Sequence, residues 1–261
     1  MLDLTIAHPT WKSPPSDTSR ISAQVVRRSL IAPADLHQMY ELLETYFENT
    51  TFHQFEMDLG EKEYVILLRA PEDARVVGFS TIMKIHATVQ DKPVVGFFSG
   101  DTIIARERWG SSVLGRFWLK TVFSEADRIQ MHTPRTLAYW FLICSGYKTW
   151  RYLPIFFRHY LPHPVSSGAA FDQEVLQTLA RKKFGDEYDP AAGVIRFHHA
   201  NPLRQGVAEV TEERLRDPMV EFFLRMNPGH AAGDELACLA PISRPNMTAA
   251  GLRLLRAGAG A

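Results

Sequence analysis

The chain reads as an α/β protein built on a mixed sheet, and three stretches carry that reading. Residues 92–128 pass from a long Val-, Ile- and Phe-rich strand through the turn RERWGSS (106–112) into a helix with Val113, Leu114, Phe117, Trp118, Val122 and Phe123 on one face. Residues 75–87 form another strand, joined to the first by the turn at 90–93. So short a connection implies an antiparallel hairpin. Residues 136–144 (TLAYWFLIC) are an unbroken apolar run, the pattern of a strand covered on both faces.

The other elements follow in order. Residues 1–22, broken by Pro9, Pro14 and Pro15, read as an irregular arm. A strand is expected at 23–31. A helix opens at Pro33 and runs to about 49, with Leu36, Met39, Tyr40, Leu43 and Phe47 as its stripe. A short helix at 52–60 precedes a strand at 64–69. Beyond the apolar run, the aromatic and basic segment 147–160 is expected to be helical up to Pro154, and 162–168 is a linker. A helix at 171–184, a strand at 193–198, a helix at 212–226 interrupted by Pro218 and a strand at 235–239 complete the list. Residues 251–261 have the composition of a flexible tail.

The 261 residues carry 29 basic and 29 acidic side chains, so no net basic charge points to nucleic acid. Cys144 and Cys238 are far apart and lack a CxxC partner, which fits buried thiols in a cytoplasmic protein better than a disulfide framework. The N-terminal residues lack a secretory pattern, and no apolar run is long enough to span a bilayer. Metal binding finds little support: His198 and His199 would face opposite ways on a strand, and Pro162 breaks the spacing between His159 and His163. His230, Asp234 and Glu235 belong to a Gly-rich loop that reads either as a substrate contact or as a plain connection.

A strand feeding a small-residue turn and a helix start gathers free backbone N–H groups at the positive end of a helix dipole, which favours an anion. Arg106, Arg108 and Arg116 add charge there. A phosphate-bearing ligand is one reading, and a turn that binds nothing is the other. Neither GxxxxGK[ST] nor GxGxxG is present.

The order of elements over residues 23–160 resembles the GNAT acyltransferase superfamily. That superfamily's turn pattern, Gln/Arg-x-x-Gly-x-Gly/Ala, falls on Glu107-Arg108-Trp109-Gly110-Ser111-Ser112. Gly110 matches, Ser112 is a small substitute, and Glu107 departs from the pattern between two arginines. The resemblance implies a mixed, largely antiparallel sheet flanked by helices, with a core at 23–164 that binds the acyl donor. A C-terminal part at 165–250 would complete the sheet and the acceptor side. It also implies an acyl-CoA or acyl-pantetheine donor, the latter on an acyl carrier protein, and a small-molecule amine acceptor, with no metal. The fourth and fifth strands would splay around the pantetheine. That assigns the donor to Phe98, Ser99, Gly100, Arg106, Arg108, Gly110, Ser111 and Ser112. Tyr139, Trp140, Phe141, Phe156 and Phe157 would either line a long acyl pocket, as in long-chain N-acyltransferases or acyl-homoserine-lactone synthases, or form core.

Aminolysis of a thioester needs a base, oxyanion donors and an acid for the thiolate. Asp101 is placed as the base, or as a cap of a bulge; His86 is an alternative base or a structural histidine. Tyr147 follows the fifth strand, where the superfamily often carries a tyrosine near the thiolate. Cys144 sits in an apolar run and reads as inert. The expected activity is N-acyl transfer. A lactone synthase, or a binding protein that lost the chemistry, are the rivals, the last favoured by Glu107.

Overall fold

The computed structural model describes residues 21–207 and 210–257. Nearly all of the expected N-terminal arm, and residues 258–261 of the expected tail, lie outside that range. Strand β1 (Ser22–Arg27) is shorter than expected because the chain turns into a 3-10 segment at Arg28. Helix α1 (Pro33–Tyr46) starts with proline in its first turn, and α2 (Phe52–Gly60) is capped by Thr51 Oγ1, which accepts from Gln54 N–H. Strand β2 (Tyr64–Arg69) pairs antiparallel with β1 and with β3 (Val76–Val89).

The expected strand at 92–105 is two strands. The outer part of β3 pairs with β4 (Lys92–Ser99) and its inner part with β5 (Thr102–Ile104). Phe98 faces Met83 and Thr102 faces Ser80, so three residues lie opposite two. This is a bulge at Gly100–Asp101, and it reverses the alternation of the strand. Ser99 points to one face of the sheet with Phe97; Asp101 and Ile103 point to the other.

Helix α3 (Val113–His132) carries the chain to β6 (Leu137–Cys144), which runs parallel to β4. Then come the short helices α4 (Tyr147–Trp150) and α5 (Tyr152–Phe156), and α6 (Ala170–Phe184). The two-residue strands β7 (Tyr188–Asp189) and β8 (Val194–Ile195) follow. Helices α7 (Glu212–Leu215) and α8 (Pro218–Met226) divide at Pro218, and β9 (Glu235–Pro241) inserts beside β6. Helix α9 (Ala249–Arg256) takes up residues expected to begin the tail. The sheet order is β1-β2-β3-β4-β6-β9-β8-β7, with β5 against β3, so the sheet is mixed, largely antiparallel and flanked by helices. It runs without interruption across the boundary expected at 164–165.

One face buries Val95, Phe97, Trp140 and Leu142 under α3. The other has two separate covers. Helices α1 and α2 lie over Val65, Leu67, Phe79 and Ile103, while α6 lies over Phe98, Phe141 and Leu239. Between these covers the sheet surface is open, and that opening is the candidate site.

Packing accounts for Gly96 and decides between the two readings of the aromatic run. A Cβ at Gly96 would stand 2.7 Å from Leu179 Cδ1, so its smallness seats α6. The aromatic run is core, with Tyr139, Trp140, Phe141, Phe156 and Phe157 all at 6% exposure or less. Trp140 packs on Trp118 at 4.4 Å and on Phe157 at 5.8 Å. Cys144 and Cys238 are free, buried and 3.9 Å apart, and burial pushes the Cys144 thiol well up, which fits an inert group.

Candidate functional site

A cavity of about 1200 Å³ occupies the opening. It runs from Trp109 and Gly110 at the turn, past Thr102–Ile104 and the residues of α4 and α5, to Asp101, Glu235, Lys62 and the end of α6. It exists because β4 and β6 stay paired only as far as Ser99 and Leu142. Past the bulge, β5 continues along β3 and leaves β6.

The parting exposes a strand edge. Asp101 C=O accepts from Thr81 N–H, and Ala105 N–H donates to Val77 C=O, so odd-numbered residues of β5 face β3. The N–H and C=O groups of Thr102 and Ile104 therefore point away from β3, towards the space that β6 vacates. The Ile104 carbonyl accepts from Trp109 Nε1 at 2.8 Å. On the α3 side a slot of only about 40 Å³ adjoins this edge, narrowed by Trp118, Trp140, Tyr152 and Phe156.

At the inner end, Glu235 begins β9. Leu236, Cys238 and Ala240 pack towards α3, so Glu235 shares the cavity face with Ala237 and Leu239. Burial raises its carboxyl to about 7, against a hydrogen bond from Ser145 that lowers it; the nearby Asp101 carboxylate raises it further. Asp101 is itself raised by burial, with Lys62 pulling the other way. Lys62 lies two residues past the end of α2, and burial lowers its ammonium pKa, with Asp101 opposing. Two acids and a lysine thus influence one another where the strands part.

The structure brings together some of the residues expected from sequence. Asp101, Phe98, Gly100, Gly110 and Tyr147 all line the cavity. His86 does not: it is exposed on the far part of β3, opposite Val95, and only its carbonyl is engaged, accepting from Lys182 Nζ. Ser99 Oγ is occupied by Trp118 Nε1 at 2.7 Å and Trp140 Nε1 at 3.1 Å, on the side away from Asp101. Arg108 turns to Glu72 at 3.1 Å, and Glu107 turns to Arg75 at 3.3 Å, so the departure at Glu107 is a paired surface charge. Ser111 Oγ accepts from Val113 N–H, and Ser112 stands at the N-cap of α3 without a side-chain bond. Arg116 lies over the Phe117 ring, and Arg106 donates to Gly206 C=O.

Residues that were not singled out complete the turn end. Lys148 Nζ lies 4.1 Å from the centre of the Trp109 ring, and its pKa is lowered by burial and by Arg106 and Arg214. These three cations have no carboxylate ion pair among the described residues. Among those residues no cluster of His, Cys, Asp and Glu is placed to hold a metal, and no helix is long and apolar enough to cross a membrane.

No protein-family model and no curated protein matches the chain. Among solved structures it is similar to a probable N-acyltransferase from Enterococcus faecalis V583, at 13% identity and a TM-score of 0.38, over 53% of this chain and 33% of that one. The aligned region is thus about a third of that protein. It is also similar to the GNAT family N-acetyltransferase YhbS from Escherichia coli in complex with CoA, at 14% identity and a TM-score of 0.34, over 51% of this chain and 67% of that one. A third is glucosamine-6-phosphate N-acetyltransferase from Arabidopsis thaliana, at 9% identity and a TM-score of 0.32, over 41% and 76%. Likeness at this level establishes neither a family nor an activity.

Proposed function

We propose that the chain is an acyltransferase that moves an acyl group from a CoA thioester to a small amine in the cavity where β4 and β6 part. The observation that carries this reading is the open edge of β5 leading to a half-buried carboxyl in the cavity wall, raised to about 7. Pantetheine is an extended chain with two amides. It can pair with Thr102 and Ile104 as an added strand would. Its phosphates would then reach the first turn of α3, where the N–H groups have no partners within the helix, beside Arg106, Lys148 and Arg214.

The chemistry follows from the placement. The Glu235 carboxylate takes a proton from the acceptor ammonium. The freed amine nitrogen attacks the thioester carbonyl carbon, the C–N bond forms, and the C–S bond breaks. The thiolate leaves with the electron pair and takes a proton from Tyr147 or from water, and the second proton shed by the attacking nitrogen, as the amide forms, restores that donor. A base is most effective when its pKa lies near the working pH, and Glu235 meets that condition. Asp101 feels the Lys62 charge without pairing to it, and its carboxylate raises Glu235 rather than taking the proton itself.

Titration calorimetry with CoA and acetyl-CoA, followed by thiol release with a broad amine panel, tests the reading. Saturable donor binding and an acylated amine of the correct mass are expected. An acyl carrier protein presents the same arm, so an acylated carrier used as a second donor tells the two sources apart. If neither donor binds, the proposed function is wrong.

A further inference from the structure

Most of the charged groups lining the inner end of the cavity already have partners. Asp58 accepts from Gln54 Nε2 at 3.1 Å, and Glu187 Oε1 accepts from His198 N–H at 2.9 Å. Glu61 is held by Lys183. Glu235 has the role of base. Two groups are left over, Asp101 and Lys62; each feels the other's charge, but no ion pair joins them among the described residues, and it is Lys62 that needs acceptors. Lys62 lies deep in the wall. Its side chain is only 4% exposed, yet its ion partner among the described residues, Glu61 Oε2, stands 3.6 Å away, beyond hydrogen-bond length. Its stem packs beside Gly100, where a Cβ would come within 3.0 Å of Lys62 Cε, so the ammonium sits where the strands part. A buried ammonium without hydrogen bonds is costly unless something supplies acceptors.

The surroundings define what could do so. Lys62, Asp101 and Glu235 all line the cavity, with Asp101 acting on both of the others. The wall beside them is aromatic: Phe98 and Phe184 meet at 5.7 Å, and Phe184 and Phe197 at 5.8 Å. A ligand that satisfies all three features carries an amine, an adjacent anion and an apolar body.

We propose that Lys62 anchors the carboxylate of the acceptor, and that the acceptor is an amino acid, or a similar zwitterion, with a large apolar side chain. This rests on the acyltransferase reading for the fate of the amine, but not for its binding. The ammonium of Lys62 holds the carboxylate. The apolar side chain lies against Phe98, Phe184 and Phe197. The amine is left facing Glu235.

The test is calorimetric binding, without donor, of amino acids paired with their decarboxylated amines: phenylalanine with phenethylamine, leucine with isoamylamine, tryptophan with tryptamine. For at least one pair the amino acid should bind about 10- to 100-fold more tightly, the range for a hydrogen bond to a charged group. In Lys62→Met that ratio should collapse, and Lys62→Arg should keep most of it. Equal binding within every pair, or binding of none, overturns the inference, and the parent protein alone decides that point. Retention of the preference in Lys62→Met overturns it too. A carboxylate preference without thiol release from acyl-CoA would sink the transfer reading while leaving the acceptor site in place.

Discussion

Glu235 is a carboxylic acid held in the wall of a cavity, and its environment raises it from 4.5 to about 7. The sign of the linked stability follows directly. Between these two values the folded chain keeps a proton that the unfolded chain has released. The favourable contribution is full below about 4.5 and is lost as pH rises through 7. Above that, ionised Glu235 costs up to about 3 kcal/mol. Glu235→Gln removes the titration, so in urea unfolding its stability advantage over the parent should grow from pH 5 to pH 8. An advantage that is the same at both values would mean that Glu235 is not strained by its surroundings. Glu235 is barely legible in the sequence, which shows it beside His230 and Asp234 at the end of a Gly-rich loop, because its partners, Ser145 and Asp101, lie far back along the chain. Only the register of β9 against β6 puts them side by side.

The bulge and the edge of β5 belong to the scale of the element. The resemblance singles out Ser99 and Gly100 for the donor, so the neighbourhood of the bulge is legible in the sequence. The extra residue was not, because a bulge is defined by pairing with β3, which a linear pattern does not contain. Ser99 then turned out to face the indoles and Asp101 the cavity. The edge makes a paired prediction. Ile104 N–H points into the gap, so Ile104→Pro should leave the β3 ladder intact and weaken CoA binding by about tenfold, the worth of roughly one hydrogen bond. Ile103 N–H faces β3, so Ile103→Pro should instead lower the urea midpoint. Calorimetry and unfolding on both variants check this. The opposite assignment of the two effects would mean that the edge is oriented the other way.

Across the whole molecule, charge is separated along the cavity although the chain is formally neutral. Arg106, Lys148 and Arg214 gather at the turn, while Asp101 and Glu235 sit at the inner end with Lys62 between acids. The sheet and most helices were readable from periodicity, because strands and helix faces are local patterns. The cavity was not, because it is the space between two helix groups that meet only in three dimensions. On the proposed reading, the same separation gives the donor phosphates the cationic end and the amine's deprotonation the acidic end. The most direct test is the pH dependence of thiol release from acyl-CoA at saturating acceptor. The parent rate should rise about tenfold per pH unit below the Glu235 pKa of about 7 and level off above it. Glu235→Gln should fall by roughly 10²- to 10⁴-fold and lose that inflection. An unchanged inflection near 7 in Glu235→Gln, or a variant as fast as the parent, would contradict the assignment of Glu235 as the base.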